Sequence, residues 1–148
     1  MKKVLFSILV MSLSLAVSAQ QQSWTNDPAH SRLGFVVKHL GISKISGSFS
    51  NFSVKVITTK ADYSDMKVSV TAKTASINTG VEMRDNHLRS ADFFEVEKYP
   101  ELTFVSTSSK KISDKKFELT GNLTMHGVTK PVTLAVDYYG SVVNPMNQ

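Results

Sequence analysis

The sequence predicts an all-β domain: one antiparallel sheet of six long strands, curled about a single apolar face, with one short helical excursion. Hydrophobicity alternates with a period of two along most of the chain after residue 30, the pattern of half-buried strands. The alternating stretches are rich in Val, Thr and Phe, residues that suit a pleated surface. One long interval, residues 79–99, breaks the rhythm.

Residues 1–19 read as a cleaved secretory signal. Lys2 and Lys3 form a positive start, residues 4–17 are mostly apolar, and Val17-Ser18-Ala19 is a small-residue cleavage site. The apolar run is shorter than the roughly 20 residues that cross a bilayer. No cysteine follows it, which excludes lipoprotein processing. Cleavage leaves residues 20–148, one domain by length and long enough to bury a core without cross-links. The chain has no cysteine, so disulfides, thiolate metal sites and Cys nucleophiles are excluded. An exported chain, periplasmic or extracellular, also lacks a ready supply of ATP or NAD. Losing Lys2 and Lys3 lowers the formal charge from +5 to +3. That suits mild attraction to anionic lipid surfaces, and it is too small and too evenly spread to indicate nucleic acid.

The strands follow in order. Ser31, Leu33, Phe35, Val37 and His39 share one face. Residues 47–56 read as a second long strand. Its Phe49 and Phe52 are out of phase, which predicts a bulge near Ser50-Asn51. Met66, Val68, Val70 and Ala72 alternate with polar residues, as do Leu102, Phe104 and Ser106. Phe117, Leu119, Gly121, Leu123 and Met125 form a fifth series, and Val132, Leu134, Val136 and Tyr138 a sixth. Between the third and fourth strands, residues 82–90 suit two helical turns with Asn78 or Thr79 near the N-cap. Pro100 ends that excursion.

The polar residues offer few chemical constellations. His30, His39, His87 and His126 contain no H-x-H or H-x-x-x-H pair, so they read as histidines bonded to loop backbone rather than as metal ligands. Asp27, His30 and Ser31 resemble a triad in composition only, because adjacent strand residues point to opposite faces. Asp27-Pro28 reads instead as a turn before a strand that Ser31 begins. Arg84, Asp85 and Arg89 suit either an anionic headgroup or mutual pairing, with Asp92, that holds the helix across a barrel end.

Three segments carry a resemblance to a known family. The first is Asp27-Pro28-Ala29-His30-Ser31 with Phe35, His39, Gly41 and Gly47-Ser48-Phe49. The second is Arg84-Asp85-Asn86-His87-Leu88 with Asp92-Phe93-Phe94, Tyr99-Pro100 and Phe104. The third is the continuous stretch 121–132, from Gly121-Asn122-Leu123 through Met125-His126-Gly127 to Pro131-Val132. In order and spacing, across residues 24–140, these resemble the YceI-like family of exported polyisoprenoid-binding proteins. The resemblance implies a lipocalin-like antiparallel β-barrel whose elongated apolar interior takes a long isoprenoid chain.

Members of that family continue past residues 137–140 through further strands, whereas this chain ends at residues 144–148, which read as a turn. Six strands are also fewer than the roughly eight that close a small barrel. The expectation is therefore an incomplete barrel over residues 20–148, lacking its last strands, with an open edge at residues 132–138 suited to homodimer formation.

The apolar face comprises Phe35, Val37, Phe49, Val68, Val70, Phe104, Leu119, Leu123, Leu134 and Val136. Patterning alone does not separate a filled core from a hollow one, and the resemblance makes these ten the expected ligand-binding residues. The implied function is non-catalytic binding, transport or storage of a long isoprenoid or similar amphiphilic lipid, with no cofactor, no metal and transient contact with a membrane surface. The alternatives are an exported lipid-acting hydrolase or isomerase, for which His39 is the inward-facing candidate, and a stress-response interaction domain with a solid core.

Overall fold

The structure is a computed structural model that describes residues 20–143. The export signal read in residues 1–19 and the turn read in residues 144–148 lie outside the described residues. The strands are β1 (Gln22–Thr25), β2 (Leu33–His39), β3 (Ser43–Phe49), β4 (Phe52–Thr58), β5 (Lys67–Lys73), β6 (Ile77–Asn78), β7 (Glu101–Ser113), β8 (Lys116–Met125) and β9 (Val128–Asp137). The helix α1 spans Glu82–Arg89, between β6 and β7.

The strands form two antiparallel sheets instead of the single sheet expected. One has six strands in the order β1-β4-β5-β7-β8-β9, and the other has three in the order β2-β3-β6. The fold is lipocalin-like, and neither sheet closes on itself.

The expected strand over residues 47–56 is two strands in different sheets. Phe49 and Phe52 are three residues apart and would face opposite ways in one continuous strand. A corner at Ser50-Asn51 lets both reach the same core cluster. That corner is held from a 3₁₀ turn at Thr74–Ser76. Ser76 accepts from the Ser50 N–H at 3.1 Å, and its hydroxyl accepts from the Asn51 N–H at 3.1 Å. Lys73 N–H donates to the Asn51 carbonyl at 2.9 Å. A bulge would leave the chain in one sheet; these bonds redirect it into the other.

The helix forms where expected, but its charges do not pair with one another. Val81 stands at the N-cap without a side-chain bond. Thr79 instead donates its N–H (2.9 Å) and its hydroxyl (2.6 Å) to the buried Asp85. Arg84 donates to the Thr79 hydroxyl at 2.7 Å and carbonyl at 3.0 Å. Arg89 donates to the carbonyls of Ala75 (2.9 Å) and Ile77 (2.8 Å). Ala75 lies in the Thr74–Ser76 turn and Ile77 in β6, and one planar guanidinium bonds both carbonyls at once. Asp92 pairs with His87 at 3.1 Å.

Two core clusters fill the interior. One is built on Phe49, Ala72, Ile77 and Leu102, the other on Met66, Phe104, Phe117 and Leu119. Leu123 packs against both. The Phe104 ring lies over Gly121 so closely that an added Cβ would sit 2.5 Å from the ring and 2.6 Å from the Val105 carbonyl. The Phe35 ring covers its cross-strand partner Gly47 in the same way.

Gly121→Ala is expected to destabilise the protein by about 1–3 kcal/mol through overpacking. It should cost more than Gly47→Ala, where the nearest atoms are all on the Phe35 ring. Urea unfolding midpoints check both, and an unchanged midpoint for Gly121→Ala would contradict the packing described.

Candidate functional site

The curl of the six-stranded sheet leaves a cleft of about 380 Å³ that reaches both of its edge strands. Trp24 of β1 lies directly opposite Val56 of β4, and Phe117 of β8 directly opposite Val136 of β9. All four line the cleft, with Tyr63 and Met66 from the β4–β5 connection and Tyr138 just past β9. Gly140, Ser141 and Val142 continue the wall beyond Tyr138.

Tyr63 joins the two edges. Its ring centroid is 5.7 Å from that of Trp24 and 5.0 Å from that of Tyr138. Tyr63 adopts a left-handed conformation, φ 59°, which a bulky residue takes up only when its surroundings enforce it. Asp65 enforces it. Its carboxylate accepts from the hydroxyls of Thr58 and Thr59. It also accepts from the N–H of Thr59 at 3.0 Å and of Lys60 at 3.2 Å. These donors, the Thr58 hydroxyl first, hold the Asp65 carboxyl far below its ordinary value of 3.8. The loop is closed by Tyr63 N–H donating to the Lys60 carbonyl and Met66 N–H to the Tyr63 carbonyl, both at 3.2 Å.

Polar groups gather at one side of the cleft. The Tyr63 and Tyr138 hydroxyls lie 3.4 Å apart. The contact raises the Tyr63 phenol, while Ser141, and then Tyr63, lower that of Tyr138. Asp137 also lines the cleft and is held by Lys116 at 3.2 Å. The arrangement suits a molecule with a long apolar body and a small polar end.

The ten residues expected to bind ligand are distributed as follows. Phe49, Phe104 and Leu119 are buried in the core clusters, and Phe35 packs on the first cluster. Val68, Val70, Leu123 and Val136 pack on the second. Val37 and Leu134 are exposed. Leu134 lies directly opposite the buried Leu119, yet β9 is the sheet edge and covers it on one side only. Of the ten, Val136 lines the cleft. Tyr138 sat in the same sequence alternation and was findable from it. Trp24 and Tyr63 lie outside any alternating series, and sequence spacing carries no signal for them.

The other polar candidates are dispersed. Asp27 holds His30 at 2.8 Å on the surface and accepts the Ala29 N–H in the expected turn; β2 starts two residues after Ser31. His39 ends β2 and is exposed rather than facing inward. His126 approaches Glu95 at 3.4 Å and packs on Tyr99. Among the described residues, no group of three or more His, Asp or Glu converges, and no helix is long and apolar enough to cross a membrane.

An apolar cleft with an aromatic rim, set in a lipocalin-like antiparallel fold, defines a small-molecule binding scaffold. The YceI-like domain model matches residues 24–146, and the chain belongs to that family. A UPF0312 protein of Vibrio parahaemolyticus is 38% identical over 148 residues, covering 98% of this chain and 78% of the relative. One from Staphylococcus aureus is 42% identical over 125 residues, covering 84% and 70%. The crystal structure of the Campylobacter jejuni YceI protein superposes with a TM-score of 0.66 at 38% identity, over 83% of this chain and 72% of that one. BcnA of Burkholderia cenocepacia gives 0.69 at 28% identity, over 75% and 69%.

Because Asp65 is depressed in the folded state, its contribution to stability is fully present above the ordinary value of 3.8 and fades as pH falls below it. Asp65→Asn should therefore be less stable than wild type near neutrality, and the gap should narrow in acid below 3.8. Melting temperatures of both proteins across pH check this, and a gap that widens in acid would contradict it.

Proposed function

We propose that the protein binds one long isoprenoid or similar amphiphilic lipid without chemical turnover. The apolar chain lies along Trp24, Val56, Met66 and Val136, and the polar end meets the Tyr63, Tyr138 and Ser141 hydroxyls. The observation that carries this reading is the unfilled apolar space bridged by aromatic rings from both sheet edges. Family membership supports it, as does the energetics. Burial of each methylene yields about 0.8 kcal/mol, so a few isoprene units supply the gross energy of tight binding with few polar contacts. The cleft volume falls within the roughly 300–1,000 Å³ usual for small-molecule sites. Binding takes place outside the cytoplasm, where the signal read in residues 1–19 directs the chain.

Trp24 is the only tryptophan in the chain, lines the cleft and is 40% exposed, so it reports occupancy directly. Adding a polyprenyl alcohol should shift its emission to the blue and saturate at about one lipid per chain. Val136→Arg places a charge in the apolar wall and should abolish the saturable shift while unfolding remains cooperative. An unshifted wild type, or a shift that Val136→Arg leaves intact, would overturn the proposal.

A further inference from the structure

The distal half of the β2–β3 hairpin stands apart from both core clusters. Residues 36–44 are all exposed. Its turn carries two large apolar side chains, Leu40 at 82% exposure and Ile42 at 91%. Val36 and Val37, below the turn, are exposed as well. The turn is tight, with Ile42 N–H donating to the His39 carbonyl at 3.1 Å. Leu40 (φ 51°) and Gly41 (φ 73°) are both left-handed. Such a turn favours Asn or Asp before Gly. A leucine there is strained and faces water, so neither turn geometry nor burial accounts for it.

The charges beside this apolar tip have one sign. Lys38 and Lys44 lie directly opposite each other in the β2–β3 register, so like charges share one face of the hairpin, which is unfavourable in isolation. Neither makes an ion pair among the described residues. Between Asp27 and Asp62 the chain holds Arg32, Lys38, Lys44, Lys55 and Lys60 and no acidic residue.

We infer that the β2–β3 hairpin tip docks the protein on an anionic lipid bilayer, with Leu40 and Ile42 entering the interface and Lys38 and Lys44 meeting lipid phosphates. Lysines beside an apolar tip match a surface that is negative outside and apolar beneath. A second copy of the chain is the poorer partner, because pairing two such tips would bring four lysines together. The inference is independent of what the cleft holds.

The chain has no cysteine, so one environment-sensitive fluorophore can be attached at Ser43→Cys, leaving Leu40 and Ile42 in place. A second labelled protein, Lys115→Cys in the β7–β8 turn, reports binding through any other part of the full chain. Vesicles containing about one-third phosphatidylglycerol should brighten and blue-shift the Ser43 label and leave the Lys115 label unchanged. Lys38→Glu with Lys44→Glu should raise the vesicle concentration needed by about tenfold or more. Leu40→Ser with Ile42→Ser should do the same at low salt, without changing the melting temperature. An unresponsive Ser43 label would overturn the inference. So would an equal response to purely phosphatidylcholine vesicles. A response to protein concentration alone would assign the tip to contact between copies and overturn it as well.

Discussion

An antiparallel sheet that does not close has two edges and a concave face to account for, and here a single side chain meets both edges. Tyr63 touches Trp24 on β1 and Tyr138 just beyond β9. It is held there, in a left-handed conformation, by a loop wound around the Asp65 carboxylate. The contact fixes the width of the opening between the edges, and the cleft is the space that remains beneath it. Each edge is blunted in part, while residues 132–137 of β9 have no further strand beside them among the described residues. β1 has four residues, and β9 carries Lys130 and Pro131 within its span, features that blunt an edge.

The position of the cleft follows from how the remainder of the interior is filled. Phe104 lies on Gly121, and Phe117, Leu119 and Met66 complete that cluster. Phe35 lies on Gly47 beside the other cluster. Each glycine removes a side chain so that the far end of a ring can approach the backbone closely, and these rings fill the space above the glycines. Space persists where Val56, Met66 and Val136 face each other without a ring pressed between them. Two packed clusters and an open apolar cleft therefore coexist in one fold.

The alternating series were legible because period two depends only on which face is buried. Hence β2, β5, β7, β8 and β9 fall near their expected places, and the charged excursion is helical. The break between β3 and β4 was legible as an irregularity at Phe49 and Phe52, but not as a change of sheet. The bonds from Ser76 that turn the chain come from about 25 residues away and leave no local mark. β1 and β6 are too short to show a period. The same limit applies to the cleft. Val136 and Tyr138 belong to one alternating series, while Trp24 and Tyr63 reach the site through tertiary folding. Local pairing was one of two readings open for the arginines of the helix, and their partners are Thr79 and the carbonyls of Ala75 and Ile77 rather than the neighbouring acids.

The most direct test of the account is where a bound lipid touches the chain. A polyprenyl alcohol carrying a diazirine along its chain, photolysed on the protein and mapped by peptide mass spectrometry, reports those contacts. Adducts should concentrate on Val56, Tyr63, Met66 and Val136. Adducts confined to the Phe35–Phe49 cluster, or scattered evenly over the surface, would contradict it.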